Sequence, residues 1–394
     1  MTGAPSTPIP GPMTSTSALR DLPVFWLRDN CDCAECRDPR NGQKLFQITD
    51  LPADLAIGSE RTVLSDGGAV HEVRWLPDGH RSRYGQDWLD AVGGRTSNDD
   101  CEGDGRTENA KQLWNAADFQ DGRLPQATWQ DYQREDAERL RILDAVARFG
   151  FALLSGVPTR NGQVLAVAET FGFVRETNYG RLFDVRVEDS PNNLAFTSAE
   201  ITPHTDNPYR DPVPTLQLLH CLDNSAPGGD SGLVDGFAAA AQLRAEDPDA
   251  FNILTRTPVP FRFQDAHTRL RADQPLIGLD PRGRIREVRF NNRSTSTLRL
   301  SADETAAFYT AYRTFGALLL RPELRLDFRL TPGDCLVFDN VRLLHARTAF
   351  EDRGSRHLQG CYADLDALAS TRAVLRYELD CAASEAASGV GATQ

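Results

Sequence analysis

No stretch of this 394-residue chain approaches 18 consecutive apolar residues, so the sequence contains no candidate transmembrane helix. Positive charge is in short supply: 43 Lys and Arg stand against 56 Asp and Glu, a formal net charge of −13 with a pI near 5.1. Binding to phosphates requires a basic surface, so this balance speaks against nucleic acid and against an anionic membrane. The first 20 residues have neither a basic start nor an apolar core, which argues against a secretory signal. Eight cysteines form no disulfide framework, because three crowd into positions 31, 33 and 36 and the rest scatter. That usage suits a reducing cytoplasm. No internal repeat is visible. With 40% hydrophobic and 25% charged residues, the chain has an ordinary globular composition and can bury a sizeable core. A small-molecule task fits best.

The texture changes along the chain. Residues 1–20, rich in Pro, Ser, Thr and Gly, read as a disordered tail. Residues 21–92 read as a small domain of short strands, with VFWLRD as a strand and TVLSDGGAVHEVRWLPDGHRSRY as strands joined at Asp-Gly turns. Residues 93–112 are polar and Gly-rich, a linker. A larger domain follows over 113–382, and 383–394 read as a second tail. In the larger domain EDAERLRILDAVARFG has helical spacing and ends on a glycine, ahead of the strand-like FALLSGV. Further helices are expected near 237–246 and 302–320, among many short apolar or alternating runs. The predicted fold is mainly β with helical buttresses, a two-sheet sandwich or barrel.

Cys31, Cys33 and Cys36 lie in LRDNCDCAECRDP. Soft thiolates with a histidine suit tetrahedral zinc, and a closed four-ligand site is structural. His80 in the Asp-Gly turn is the first candidate for the fourth ligand and His71 the second. The alternative is a set of unliganded thiols.

His204 and Asp206 form an HTD triplet ahead of an apolar run. One residue separates them, so on extended chain both side chains point the same way. His345 in FDNVRLLHARTAF offers a third donor. Two histidines and a carboxylate leave open positions and suit non-haem Fe(II) oxygen chemistry. An isolated HxD is more often a hydrogen-bonded surface pair. Here Arg356, 11 residues after His345, adds a planar fork suited to a dicarboxylate co-substrate. The competing reading pairs it with Asp352 or Asp364.

These motifs are a long, ordered set. With GGDSxxVDGF between them, they resemble the γ-butyrobetaine dioxygenase group of Fe(II)/2-oxoglutarate oxygenases from about Leu22 to Arg376. The resemblance implies a double-stranded β-helix (jelly-roll) catalytic domain and a small N-terminal domain holding zinc through Cys31, Cys33, Cys36 and His80. It also implies iron on His204, Asp206 and His345, with 2-oxoglutarate as co-substrate on Arg356. The group's substrates carry a trimethylammonium cation, which aromatic faces hold. The matching positions are Tyr179, Phe183, Phe196 and Tyr362, with phenylalanine replacing tryptophan at 183 and tyrosine at 196; Asp184 would add charge. The anion end matches Asn193 and Asn292. Arg293, with Asn207, adds donors that suit a phosphonate better than a carboxylate. The pattern is similar to that of bacterial 2-(trimethylamino)ethylphosphonate dioxygenases, which implies hydroxylation at the carbon next to phosphorus. γ-Butyrobetaine hydroxylation to L-carnitine is the alternative. The partners expected are a quaternary ammonium molecule and O2, and a homodimer is compatible with the composition. Two other classes share such donors: a non-catalytic metal-binding sensor and a zinc hydrolase.

Overall fold

A computed structural model describes residues 19, 22–65, 68–93, 111–119, 123–187, 197–351 and 353–389. The chain divides into two compact units, Met1–Glu108 and Asn109–Gln394. Most of the expected first tail and of the expected linker lie outside the described residues; Leu19, inside the expected tail, is buried in the core of the first unit.

The first unit starts with α1 (Val24–Asp29) and continues into a three-stranded antiparallel sheet. Its strands are β1 (Ala56–Ser65), β2 (Gly68–Leu76) and β3 (Arg81–Gly85), followed by α2 (Gln86–Gly93). VFWLRD was expected as a strand and is a helix. Val24, Leu27 and Cys31 fall at helical spacing, and Pro23, which lacks an N–H, stands at the N-cap. Leu27 packs with Leu55, Val73, Trp75, Tyr84 and Leu89. The Tyr84 hydroxyl donates to the Leu27 carbonyl at 2.6 Å, and Trp26 stacks on Trp88. This small core holds α1, and the cysteine turn after it, against the sheet.

The second unit is built on two sheets. Its first part runs β4 (Gln126–Thr128), α3 (Trp129–Arg134), α4 (Asp136–Phe149), β5 (Phe151–Ser155), α5 (Gln163–Ala168) and β6 (Phe183–Val185). Then come β7 (Ile201–His204), β8 (Leu216–Asn224), β9 (Ser231–Asp235), α6 (Gly236–Glu246) and α7 (Pro248–Arg256). Two hairpins follow, β10 (Val259–Gln264) with β11 (Arg269–Gln274), and β12 (Ile277–Leu279) with β13 (Ile285–Val288). The chain ends with α8 (Ala302–Leu319), β14 (Arg325–Phe328), β15 (Cys335–Asp339), β16 (Leu343–Arg347), β17 (Arg356–Ala363) and α9 (Leu365–Gly389). The major sheet has the order β4-β5-β15-β8-β17-β6, and the minor sheet β14-β9-β16-β7. All these pairs are antiparallel except β4 with β5.

Strand alternation sorts the side chains into layers. On β15, Cys335 and Val337 join the cluster under α4, α5 and α9, while Leu336 and Phe338 enter a second cluster with Leu233 and Leu343 of the minor sheet. A third cluster packs α6, α7 and α8 with Val259, Phe261 and Ile277. The interior between the sheets is therefore apolar at one end. Helix α9 runs to Gly389, past residue 383 where a tail was expected. Its sequence is rich in Ala and Leu with no proline, so propensity carries it on. Asp144 on α4 accepts from Arg372 at 2.8 Å and from Arg376 at 3.0 Å and fixes the helix to the unit. Among the described residues, no helix is long and apolar enough to cross a membrane.

Candidate active site

The other end of the sandwich opens into a cavity lined by apolar, aromatic and polar side chains. This cavity of about 560 Å³ is lined from the major sheet by Gln217, Leu219, Leu336, Leu358 and Tyr362, and from the minor sheet by His204, Gly232 and His345. His345 on β16 pairs in register with His204 on β7, so two residues far apart in the chain stand side by side. Their ring centroids are 4.1 Å apart. Asp206 leaves the end of β7 and completes a trio whose donor atoms all lie within 4.8 Å of one another.

Each member is aimed. His204 Nδ1 donates to the Thr202 carbonyl at 3.0 Å, which turns Nε2 toward the cavity as the ligating nitrogen. Nε2 lies 3.5 Å from Asp206 Oδ1. Burial and the neighbouring His204 pull the His345 pKa down to about 3, which keeps this imidazole in the neutral, ligating form. Burial alone would raise the Asp206 carboxyl; His345, His204 and Tyr362 outweigh it and hold it below the usual carboxylate range. The Asp206 backbone is clamped by Asn340, which accepts from its N–H at 2.9 Å and donates to its carbonyl at 3.0 Å. Two imidazoles and one carboxylate on one side of a cavity fit Fe(II).

Arg356 opens β17 and is buried, with Nε donating to the Gly229 carbonyl at 3.2 Å. No carboxylate pairs with it among the described residues, so neither Asp364 nor another acid takes its fork; Asp352 lies outside them. Asp364 instead accepts from Arg175 at 2.9 Å. Burial lowers the Arg356 pKa to about 10, still protonated at neutral pH. Gly229, at φ +74°, makes room for it: a Cβ there would stand 3.0 Å from Arg356 Cδ.

Tyr179, Phe183 and Tyr362 line the cavity beside the trio, with Phe183 5.1 Å from Tyr362 and 6.3 Å from Tyr179. Gly360 lets the Phe183 ring lie on β17, since a Cβ at 360 would sit 2.4 Å from its Cε2 and Cζ. Asp184 does not join them. It points to the other face of β6, where its carboxylate meets His357 Nε2 at 2.6 Å and Gln359 Nε2 at 2.9 Å. Asn193 and Phe196 lie outside the described residues. Asn292 is absent from the lining and accepts from the Tyr312 hydroxyl at 3.1 Å; the neighbouring Asn291 takes the cavity position. Asn207 does line the cavity. It is buried at φ +56°, and neither end of its amide has a partner among the described residues. Arg293 reaches the cavity wall while keeping much of its side chain open to the mouth, and no hydrogen bond or ion pair holds it among the described residues.

Sequence reasoning missed Gln217, Tyr209, Phe263, Asn291 and Arg347, all in the lining. Arg347 follows His345 by two strand positions, so the alternation that placed one could have placed the other. It donates to the Thr197 and Ala199 carbonyls. Gln217 is a polar residue inside an apolar strand run, a second legible signal. Nothing local marks Phe263.

In the first unit, Cys31, Cys33 and Cys36 stand 3.4, 3.6 and 3.4 Å from His80 Nε2. His71 is elsewhere, between Thr62 and Gln86. Tetrahedral zinc, with Zn–S of about 2.3 Å and Zn–N of about 2.0 Å, sets S···N edges of about 3.5 Å. The four donors fit that ion. Arg28 donates to Cys36 Sγ at 3.0 Å and sets a positive charge against the sulfur cluster.

Comparison with known proteins agrees with this geometry. Residues 108–362 match the taurine catabolism dioxygenase TauD, TfdA family, and residues 15–90 match the gamma-butyrobetaine hydroxylase-like N-terminal family. The chain is 39% identical over 356 residues to the gamma-butyrobetaine dioxygenase of Pseudomonas sp. (strain AK-1), covering 89% of this chain and 90% of that one. It is 31% identical to the human gamma-butyrobetaine dioxygenase, covering 91% and 92%. To the trimethyllysine dioxygenase of Meyerozyma guilliermondii it is 32% identical, covering 87% of each.

Proposed function

The chain belongs to the taurine catabolism dioxygenase TauD, TfdA family and is a dioxygenase, and we propose from that premise that it hydroxylates a small trimethylammonium zwitterion, γ-butyrobetaine first, to give L-carnitine. The observation that carries this reading is the set of aromatic rings, Tyr179, Phe183 and Tyr362, beside the two-histidine, one-aspartate trio. A quaternary cation donates no hydrogen bonds, so ring faces are what a protein can offer it. Tyr209 and Phe263, stacked at 5.1 Å, extend the same wall. The sequence favoured the phosphonate. The relatives, named for γ-butyrobetaine and trimethyllysine, support the alternative better.

In this reading His204, Asp206 and His345 hold Fe(II), and Arg356 takes the far carboxylate of 2-oxoglutarate. Bound there, Fe(II) would activate O2, the oxidant, and 2-oxoglutarate would supply two electrons by conversion to succinate and CO2, so that one oxygen atom goes to succinate and the other turns a substrate C–H bond into an alcohol. The residues around them position the substrate. The aromatic wall fixes its cationic end, and Asn207, Asn291 and Arg293 receive its anion, so a single C–H bond is presented to the metal. Leu219, Leu336 and Leu358 keep water from the inner wall. No side chain is required as acid or base. Zinc on Cys31, Cys33, Cys36 and His80 ties the turn after α1 to the β2–β3 turn and takes no part in turnover.

Arg293 supports a second reading, the phosphonate, because a guanidinium and a free amide suit a bulkier, more highly charged anion. The test is O2 uptake coupled to 2-oxoglutarate by the iron-loaded protein, with γ-butyrobetaine, 2-(trimethylamino)ethylphosphonate and trimethyllysine supplied separately. γ-Butyrobetaine should give the highest kcat/KM. Substrate-dependent uptake with none of the three would end the trimethylammonium reading.

A further inference from the structure

We propose that Gln217 and Tyr362 are positioning residues that confine Asp206 to a single ligand oxygen, Oδ1, and so keep one coordination position of the metal available to reactants. The proposal rests on the reading of His204, Asp206 and His345 as an iron site. Gln217 Nε2 and the Tyr362 hydroxyl both donate to Asp206 Oδ2, each at 3.0 Å. A carboxylate oxygen has two in-plane acceptor sites, so two donors fill Oδ2 and leave Oδ1 for a cation. Oδ1 faces His204 Nε2 at 3.5 Å, while His345 Nε2 stands 3.9 Å from Oδ2, so without its two donors Oδ2 is close enough to the trio to compete for the metal.

Three features separate this from ordinary packing. The Asp206 backbone is already fixed by Asn340, which also donates to the Pro214 carbonyl at 3.0 Å. The freedom left to the carboxylate is rotation about its own bond, and that is the motion the two donors oppose. Gln217 is 1% exposed, and its Oε1 has no partner among the described residues. A buried amide with one end unsatisfied is costly, so its other end is placed at the expense of packing economy. Chemistry also fixes which end faces the acid, because only the NH2 can donate. Tyr362, finally, is held at both ends, with its ring against Phe183 and its hydroxyl on the carboxylate. With one donor gone the carboxylate is less firmly oriented toward the metal; with both gone, Oδ2 is free to turn to the cavity and the carboxylate can close on the metal through both oxygens. The position lost is one a reactant needs.

The experiment uses Tyr362→Phe, Gln217→Leu and the double variant, with anaerobic Fe(II) titration of the full chain in the presence of 2-oxoglutarate and no quaternary substrate. The visible absorption of the Fe(II)–2-oxoglutarate chelate reports occupancy at this site. Nitric oxide then probes the remaining position through its paramagnetic signal per bound iron. Each single variant should weaken Fe(II) half-saturation by about 10–100-fold, the range found when groups that orient a metal ligand are removed. The double variant should also lose nitric oxide signal per bound iron. In turnover, Tyr362→Phe should lower kcat while leaving KM near wild type, since the ring remains. Unchanged half-saturation in both single variants, or full nitric oxide signal in the double variant, overturns the proposal. Thermal unfolding without iron identifies a variant that merely misfolds, and Tyr362→Phe, which removes one atom, guards against that outcome. His345→Ala separates the underlying reading: if the absorption survives there, the iron is bound elsewhere and the trio is misassigned.

Discussion

Gly360→Ala adds one methyl group at the point where β17 passes beneath the Phe183 ring. The new Cβ would lie 2.4 Å from both Cε2 and Cζ of that ring. Carbon atoms rest about 3.5–4.0 Å apart, so the ring must move away by about 1.1–1.6 Å. Tyr362 stands 5.1 Å away on one side and Tyr179 6.3 Å on the other, so the displaced ring leaves the wall those two define. One cation–π face is worth about 0.5–2 kcal/mol depending on desolvation, which corresponds to about 2–30-fold in KM for a trimethylammonium substrate. Strain of this kind also lowers stability, by about 1–3 kcal/mol. The assay is steady-state O2 uptake with γ-butyrobetaine, together with anaerobic titration of Fe(II) and 2-oxoglutarate. KM should rise while the half-saturation of metal and co-substrate stays put, because none of the hydrogen bonds that orient the trio and Arg356 involves Phe183. A KM equal to wild type in a folded variant would mean that Phe183 does not face the cation.

Three further outcomes are expected. Arg356→Ala should raise the 2-oxoglutarate requirement by about 10–100-fold, from a charge-assisted pair worth about 1.5–3 kcal/mol, with Fe(II) still bound; an unchanged requirement in anaerobic titration moves the co-substrate's anchor elsewhere. Cys33→Ser should lower the unfolding temperature and the zinc content of the purified protein together, and elemental analysis finding no zinc in wild type removes that claim. Arg293→Ala should cost about tenfold more in kcat/KM with 2-(trimethylamino)ethylphosphonate than with γ-butyrobetaine; equal losses would mean that Arg293 does not read the anion.

Much of this was legible where chemistry is written in residue type. His204, Asp206, His345 and Arg356, and the Cys31, Cys33, Cys36 and His80 cluster, are rare residues at suggestive spacing, and the fold brings each set together. The helices expected near 237–246 and 302–320 stand at 236–246 and 302–319. What was harder to read depended on facing. Asp184 and Phe183 are chain neighbours, and one strand position decides which enters the cavity. Asn291 and Asn292 pose the same question in a turn, where no alternation rule applies. VFWLRD illustrates another limit: six residues carry too little periodicity to choose between helix and strand, and the small core under Leu27 decides.

The pairing of His345 with His204 has a consequence for how this protein can change length. Side chains on a strand alternate between two faces, so one residue inserted or deleted within β16 ahead of His345 would turn the imidazole away and offer Leu344 or Ala346 in its place. No adjustment of rotamers recovers that loss. Sequence drift can therefore alter most side chains of these strands, but not the count of residues between the β9 contacts and the histidine. Growth and shrinkage belong in the connections, such as the long excursion of helices and hairpins between β9 and β14. The catalytic centre keeps the strand's length in step, as a gear tooth keeps a wheel.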